Sequence, residues 1–160
     1  MKGILGRRLA LLRNPEKGFA ELRTVTLETA VAEHLKLLIL VALIAALVQF
    51  LFFVGMSVYA QQAHGATVQY ARMLNYAFGI AGGVGLFYMV GGSVLVLAAS
   101  ALLRVFVRSI KYTRMLTVLI YAVSPLVLFG WFVVFLPPLL IWAAFLFTTG
   151  VRVMQEAHPR

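Results

Sequence analysis

The stretch LLILVALIAALVQFLFFVGMSVY, residues 37–59, decides the fold class of this chain. It contains no charged side chain, and Gln49 is the only strongly polar residue in its interior. At about 1.5 Å per residue, a helix of this length reaches roughly 34 Å, enough to cross the hydrocarbon core of a bilayer. The stretch therefore predicts a transmembrane helix.

Three further apolar runs follow it, at residues 76–103, 115–136 and 138–154. The composition agrees, since 62% of the residues are hydrophobic and only 12% are charged, whereas soluble domains carry roughly 25% charged residues. We predict an all-α, polytopic membrane helix bundle of about four transmembrane helices. The last run is short, so a re-entrant hairpin, or a third segment broken by proline that leaves three spans, is the alternative.

The basic residues predict the orientation of the bundle. Of the fourteen lysines and arginines, only Arg72 falls on one side of a four-span arrangement. The other side receives seven up to Lys36, four between residues 104 and 114, and Arg152 and Arg160. Because cytoplasmic loops carry an excess of Lys and Arg, we predict a multi-pass protein of the cell's inner (cytoplasmic) membrane with both termini cytoplasmic. Orientation explains the net charge of +9, so we predict no nucleic-acid partner.

Residues 1–35 form the only sizeable polar stretch, ahead of a bundle at 36–154 and a cytosolic tail at 155–160. Leucines at helical spacing predict a short amphipathic helix on the membrane surface, although Arg8 interrupts its apolar face. Asn14-Pro15 predicts a helix cap followed by a first-turn proline, and Thr26 is a candidate cap for the next helix.

The second span is rich in glycine, which lets another helix backbone approach closely in lipid. The candidate helix-packing residues are Gly79, Gly82, Gly83, Gly85 and Gly92. Packing within the chain, self-association and a hinge are three explanations that the sequence leaves open.

The loop after this span holds four basic residues and no acid, namely Arg104, Arg108, Lys111 and Arg114. Such a patch anchors the loop at the membrane surface, or binds anionic headgroups or an acidic partner. In the third span, Ser124-Pro125 predicts a kink, because proline frees a carbonyl that a neighbouring serine can satisfy. Pro137-Pro138 predicts a tight reversal before the last span.

Nothing in the sequence predicts a catalytic site. All five acids lie outside the predicted spans, and no lysine or arginine is predicted at the middle of the membrane. His34, His64 and His158 are predicted to be interfacial or solvated, and none has a partner at metal-ligand spacing. The serines and tyrosines of the spans are expected to bond across helices. We therefore expect no catalytic residue, no metal and no cofactor, and a protein that is not an enzyme.

Three segments resemble the prokaryotic type of the Yip1-domain family. They are Asn14-Pro15-Glu16-Lys17-Gly18-Phe19, the stretch from Tyr112 through Met115 to Tyr121-Ala122-Val123-Ser124-Pro125, and Ile141-Trp142 through Gly150-Val151-Arg152. The resemblance implies a multi-pass helical protein with a cytosolic amino-terminal segment, and no binding residue follows from it. The chain departs from the family pattern because the family's usual fifth and last span is missing after Arg152.

Three hypotheses for function follow from this sequence. The first is an integral membrane scaffold or adaptor of Yip1-domain type, which organises partner proteins by helix packing. The alternative is a small accessory subunit of a larger respiratory or secretory complex, and the third is a passive channel or transporter. The expected partners are a bilayer with anionic headgroups and a membrane protein or a second copy of the chain.

Overall fold

A computed structural model describes residues 4–64, 70–107, 110–129 and 136–156. These residues form helices and turns and contain no strand. The helices are α1 (Ile4–Arg13), α2 (Pro15–Glu21), α3 (Leu27–His64), α4 (Tyr70–Leu86), α5 (Gly92–Phe106), α6 (Tyr112–Ala122), α7 (Ser124–Phe129) and α8 (Leu136–Glu156). A 3₁₀ turn, Leu22–Thr24, follows α2, and a π-helical turn, Phe87–Gly91, joins α4 to α5.

Four stretches of the described residues are long and apolar enough to cross a membrane. They are Leu27–Ala63, Ala71–Phe106, Tyr112–Phe129 and Leu136–Glu156. The prediction of an all-α bundle with four membrane-spanning helices is therefore confirmed, and the protein is a multi-pass membrane protein.

The helices differ in their bounds from the predicted spans. α3 has 38 residues, about 57 Å at helical rise, so it continues beyond the predicted span into the polar segment up to His64. α4 begins at Tyr70, which leaves 65–69 of the predicted loop outside the described residues. α8 has 21 residues, because Pro137 and Pro138 lie in its first turn, where a backbone N–H has no helical partner. Pro137 and Pro138, which were predicted to form a tight reversal, therefore lie inside α8, and residues 130–135 lie outside the described residues.

The amino-terminal caps are confirmed. The Asn14 side chain accepts a hydrogen bond of 3.2 Å from the backbone N–H of Lys17, and Pro15 begins α2. The Thr26 hydroxyl accepts one of 3.3 Å from the N–H of Thr29 at the start of α3. Each side chain satisfies a backbone donor that the first helical turn leaves unpaired.

Contacts divide the chain into two compact units, which differ from the predicted division. The first unit is Met1–Leu37 together with Ser93–Arg160, and the second is Leu38–Gly92. The amino-terminal segment thus belongs to the same unit as the third and fourth spans. Both boundaries fall within the helical run of a single span, one inside α3 and one at the end of the π-helical turn.

The first unit has its core around α6. All side chains from Met115 to Ala122 are buried, and α8 packs against α2, α6 and α7 while α1 packs against α2. In the second unit, α3 and α4 meet through the rings of Phe50 and Phe78, whose centroids lie 5.0 Å apart. Among the described side chains of α4, those that are buried are small or flexible, namely Met73, Ala77 and Ala81.

Candidate functional site

Two of the predicted packing glycines lie against α3 within the second unit. A Cβ added at Gly92 would lie 2.8 Å from Cδ2 of Leu38, and one added at Gly85 would lie 3.9 Å from Cβ of Ala46. Real Cβ atoms do not approach other atoms as closely as 2.8 Å, so a side chain at Gly92 would require the end of the flexible Leu38 side chain to shift.

The other three glycines face away from this packing. A Cβ added at Gly79, Gly82 or Gly83 would meet none of the described atoms within 4 Å beyond the helix's own nearby backbone. These glycines therefore lie open on α4, and the structure gives them no partner helix among the described residues.

The predicted basic patch is used in part for contacts within the chain. Nη1 of Arg104 donates a hydrogen bond of 2.9 Å to the carbonyl of Ile110, which anchors the turn between α5 and α6. Arg114 donates from Nη1 to the carbonyl of Arg23 in the amino-terminal segment. Lys111 is exposed immediately before α6, and Arg108 lies outside the described residues.

The predicted kink coincides with a break between two helices. α6 ends at Ala122, Val123 adopts a turn, and α7 begins at Ser124. Pro125 has no N–H to offer the carbonyl of Tyr121, and the Ser124 hydroxyl donates to that carbonyl at 2.5 Å. The break therefore presents a side-chain oxygen and freed backbone carbonyls at one place.

Arg8 of α1 binds at this break. Its Nη1 donates to Oγ of Ser124 at 2.5 Å and to the carbonyl of Ile120 at 3.3 Å. Its guanidinium carbon lies 4.9 Å from the centroid of the Tyr121 ring, a distance at which a cation is attracted to the ring face. The side chain is fully buried, so the residue that interrupts the apolar face of α1 is the centre of a buried polar site.

Glu33 of α3 completes this site. Its Oε2 accepts a hydrogen bond of 2.6 Å from the Tyr121 hydroxyl, and its Oε1 accepts one of 2.8 Å from Nη1 of Arg7. Hydrogen bonds with ionised groups are stronger than neutral ones. Glu33 thus joins α1, α3 and α6. The prediction that all acids lie outside the membrane-spanning helices is wrong for Glu28 and Glu33, because α3 begins at Leu27, and for Glu156, which is the last residue of α8.

His34, the next residue of α3, is also buried. Its side chain is 4% exposed, so the prediction that it is interfacial or solvated is wrong. Neither ring nitrogen has a hydrogen-bond partner among the described residues. The side chain of His64 and all of His158 lie outside the described part of the chain.

The charge of Arg8 is incompletely compensated. Burial lowers the pKa of the Arg8 guanidinium, and the nearby Tyr121 and Glu33 oppose that shift. Arginine remains protonated in proteins because its ordinary pKa is so high. Its Nε and Nη2 are buried without a partner in the described residues.

A second set of contacts holds α2 against α6 and α8. Phe19 is fully buried. A Cβ added at Gly150 would lie 2.8 Å from Cε1 of Phe19 and 2.6 Å from Cγ1 of Val118. Nη2 of Arg23 donates to the carbonyl of Val153 at 2.8 Å, and Arg152 pairs with Glu16. These contacts fix the amino-terminal segment to the last span.

A shallow cleft of about 390 Å³ lies beside these contacts, between α2 and α8. Its charged lining residues are Glu16, Lys17, Arg23, Arg152 and Glu156. Cations and carboxylates alternate there, so the cleft selects neither an anion nor a cation. Among the described residues, no group of three or more metal-ligating side chains comes together.

In comparisons with known proteins, no family model, no curated protein and no solved structure matches this chain. The resemblance to Yip1-domain proteins therefore stays a prediction that rests on short motifs.

Sequence reasoning missed the Arg8 site. The interruption of an apolar helix face by an arginine was a signal, since a cation on a face that must be buried needs polar partners. The serine next to a proline in the third span was the matching signal. Nothing in the sequence paired the two, because they are 116 residues apart.

Proposed function

We propose that this chain is a non-catalytic membrane scaffold or adaptor, which holds a partner membrane protein or a second copy of itself through its transmembrane helices. The observation that carries the proposal is the open face of α4 at Gly79, Gly82 and Gly83. Helices in lipid associate through close packing of small residues, since lipid supplies no hydrophobic driving force between them. An open glycine face on a long apolar helix is therefore suited to a helix from outside this chain.

The polar site supports a structural rather than a catalytic role. Its hydroxyls are engaged, since the Tyr121 hydroxyl donates to Glu33 and the Ser124 hydroxyl donates to a backbone carbonyl. A nucleophile needs a base that accepts its proton and a reachable substrate. Glu33 is a candidate base for Tyr121, but Tyr121 and Ser124 are both fully buried and not accessible to a substrate. The arrangement instead ties α1, α3 and α6 together.

The location and partners follow the charge pattern. We propose that the protein resides in the cytoplasmic membrane with both termini in the cytoplasm, since this keeps thirteen of the fourteen cations on the side where positive loops are retained. The basic loop then faces anionic headgroups, and no nucleic-acid partner is required.

Two matched variants test the scaffold proposal. Gly82→Leu adds a side chain on the open face, so we expect it to abolish assembly in lipid nanodiscs or mild detergent without lowering the unfolding free energy. Gly92→Leu adds one against Leu38, so we expect it to reduce the unfolding free energy itself. Assembly is read by mass photometry and stability by titration with a denaturing detergent.

The outcome for Gly82→Leu decides the proposal. Unchanged assembly in this variant contradicts a scaffold that works through α4. Co-purification of the native chain with large subunits at fixed stoichiometry, with no homo-oligomer, identifies the accessory-subunit alternative instead.

A further inference from the structure

The amino-terminal helix α1 is held in place by one well-packed apolar contact, at Leu11, and by one polar contact that is only partly satisfied, at Arg8. Leu11 is buried against Gly18, where a Cβ would lie 2.7 Å from Cα of Leu11. Arg8 contributes two hydrogen bonds from Nη1, but its Nε and Nη2 are buried and unpaired among the described residues. Buried N–H groups without partners destabilise the state that buries them.

His34 adds to this imbalance. Both of its ring nitrogens are buried without a described partner, and the charge of Arg8 acts on its ring. Because Arg8 and His34 form no hydrogen bond with each other, their proximity does not compensate for the burial of their polar atoms. The arrangement in which α1 packs on the first unit is therefore destabilised by unpaired buried polar atoms of Arg8 and His34.

The neighbouring helix α2 is held differently. Its Phe19 is fully buried against α6 and α8. Arg23, just beyond it, donates from Nη2 to the carbonyl of Val153 and has one buried nitrogen, Nε, without a described partner, where Arg8 has two. Asn14 lies between the two helices with φ −145° and ψ 89°, outside the helical region. Because the backbone leaves the helical conformation there, α1 can move as a unit while α2 stays in place.

The composition of α1 suits an anionic lipid surface. It holds Arg7, Arg8 and Arg13 among aliphatic residues and contains no acid. Cationic side chains near an anionic leaflet are attracted to it, and aliphatic ones insert at the boundary of the acyl chains. On such a surface, Nε and Nη2 of Arg8 form the paired edge that matches a phosphate oxyanion.

We propose that α1 is a reversible latch, which docks through Arg8 on the break between α6 and α7 and is released onto anionic lipid headgroups. In the docked state the latch ties α1 to α3 through Arg7 and Glu33. In the released state its three arginines bind lipid phosphates. The latch thereby couples the lipid composition of the membrane to the packing of the third span.

A distance measurement between two spin labels tests this proposal. The chain has no cysteine, so Leu9→Cys on α1 and Thr148→Cys on α8 provide two unique and exposed attachment sites. The full-length protein is placed in nanodiscs of phosphatidylcholine alone or with about 30 mol % phosphatidylglycerol. We expect a second, longer distance in the anionic nanodiscs, with its population raised at least about threefold.

Two variants separate release from loss of folding. Gly18→Ala places a methyl group against the Leu11 backbone, so the longer distance should appear even in neutral lipid. Arg13→Gln removes an exposed cation, so it should lower the released-to-docked ratio about fivefold in anionic lipid and leave it unchanged in neutral lipid. A control pair, Lys17→Cys with Thr148→Cys, reports α2 and should give one distance throughout.

Three outcomes overturn the latch. Identical distance distributions in the two lipids, for the native α1 sequence, exclude release by anionic headgroups. An Arg13→Gln response equal to that of the native sequence excludes attraction through the arginines of α1. A control distance that lengthens together with the α1 distance means that the whole segment unfolds.

Discussion

The second and third spans are both long apolar stretches, yet they differ in what surrounds them. In the most apolar 18-residue window of Ala71–Phe106, 11% of the residues are buried within the chain, whereas in that of Tyr112–Phe129 the share is 67%. The third span is covered by α8 and by the amino-terminal segment. The second span presents Gly79, Gly82 and Gly83 and many large apolar side chains outward.

This difference shows that hydropathy and burial answer separate questions. Hydropathy places a helix in lipid, but the packing of small residues and the matching of polar groups decide which helix is covered by protein. The glycine-rich second span had the stronger packing signal in the sequence. The third span lacks glycine altogether in its buried run from Met115 to Ala122. The glycine that allows close packing there is Gly150 of α8, which lies against Val118.

The largest expected change in unfolding free energy comes from truncating a phenylalanine that packs against the third span. Phe19→Ala leaves a cavity between α2, α6 and α8, so we expect a loss of about 3–5 kcal/mol in the free energy of unfolding. Phe106→Ala removes the same side chain where it is 82% exposed, and we expect a change below about 0.5 kcal/mol. The unfolding free energies of both variants are measured by denaturing-detergent titration in mixed micelles. Equal losses in the two variants would contradict the difference in coverage between the second and third spans.

An intermediate effect is expected from the hydroxyl of Tyr121. Tyr121→Phe keeps the ring under Arg8 but removes the 2.6 Å hydrogen bond to Glu33, and a bond to a charged group contributes about 1.5–3 kcal/mol. Tyr76→Phe on the open second span, where the side chain is 65% exposed, should change the unfolding free energy by less than about 0.5 kcal/mol. If the two variants unfold alike, the Glu33 contact does not stabilise the first unit.

The parts of the structure that the sequence predicted are those that depend on local patterns. The four spans follow from apolar length, and the caps at Asn14 and Thr26 follow from side chains that satisfy nearby backbone donors. The extension of α3 to His64 was missed, because a helix already started in lipid continues through polar residues that contain no glycine or proline until Gly65.

The candidate site depends on contacts between distant residues, and sequence patterns alone did not provide them. Arg8 looked like a defect in a surface helix, and His34 looked solvated because both lie near the predicted membrane edge. Their burial follows from the docking of α1 on the break at Ser124-Pro125, where the Ile120 carbonyl and the Ser124 hydroxyl accept hydrogen bonds from the guanidinium. Pairing these residues needs the tertiary arrangement of α1, α3 and α6, which no local pattern specifies.

The smallest expected effect comes from adding one methyl group to a glycine in each region. Gly150→Ala brings a Cβ to 2.6 Å from Cγ1 of Val118 and 2.8 Å from the Phe19 ring, so these side chains must shift, and overpacking of this kind destabilises by about 1–3 kcal/mol. Gly83→Ala meets none of the described atoms within 4 Å, and alanine loses less backbone entropy than glycine, so we expect a gain of about 0.5–1 kcal/mol. Opposite signs in the same unfolding titration would establish that α8 is packed against the third span while α4 is open. A loss at Gly83 as large as that at Gly150 would mean that the second span is also covered, and the glycine face would then not be available to a partner.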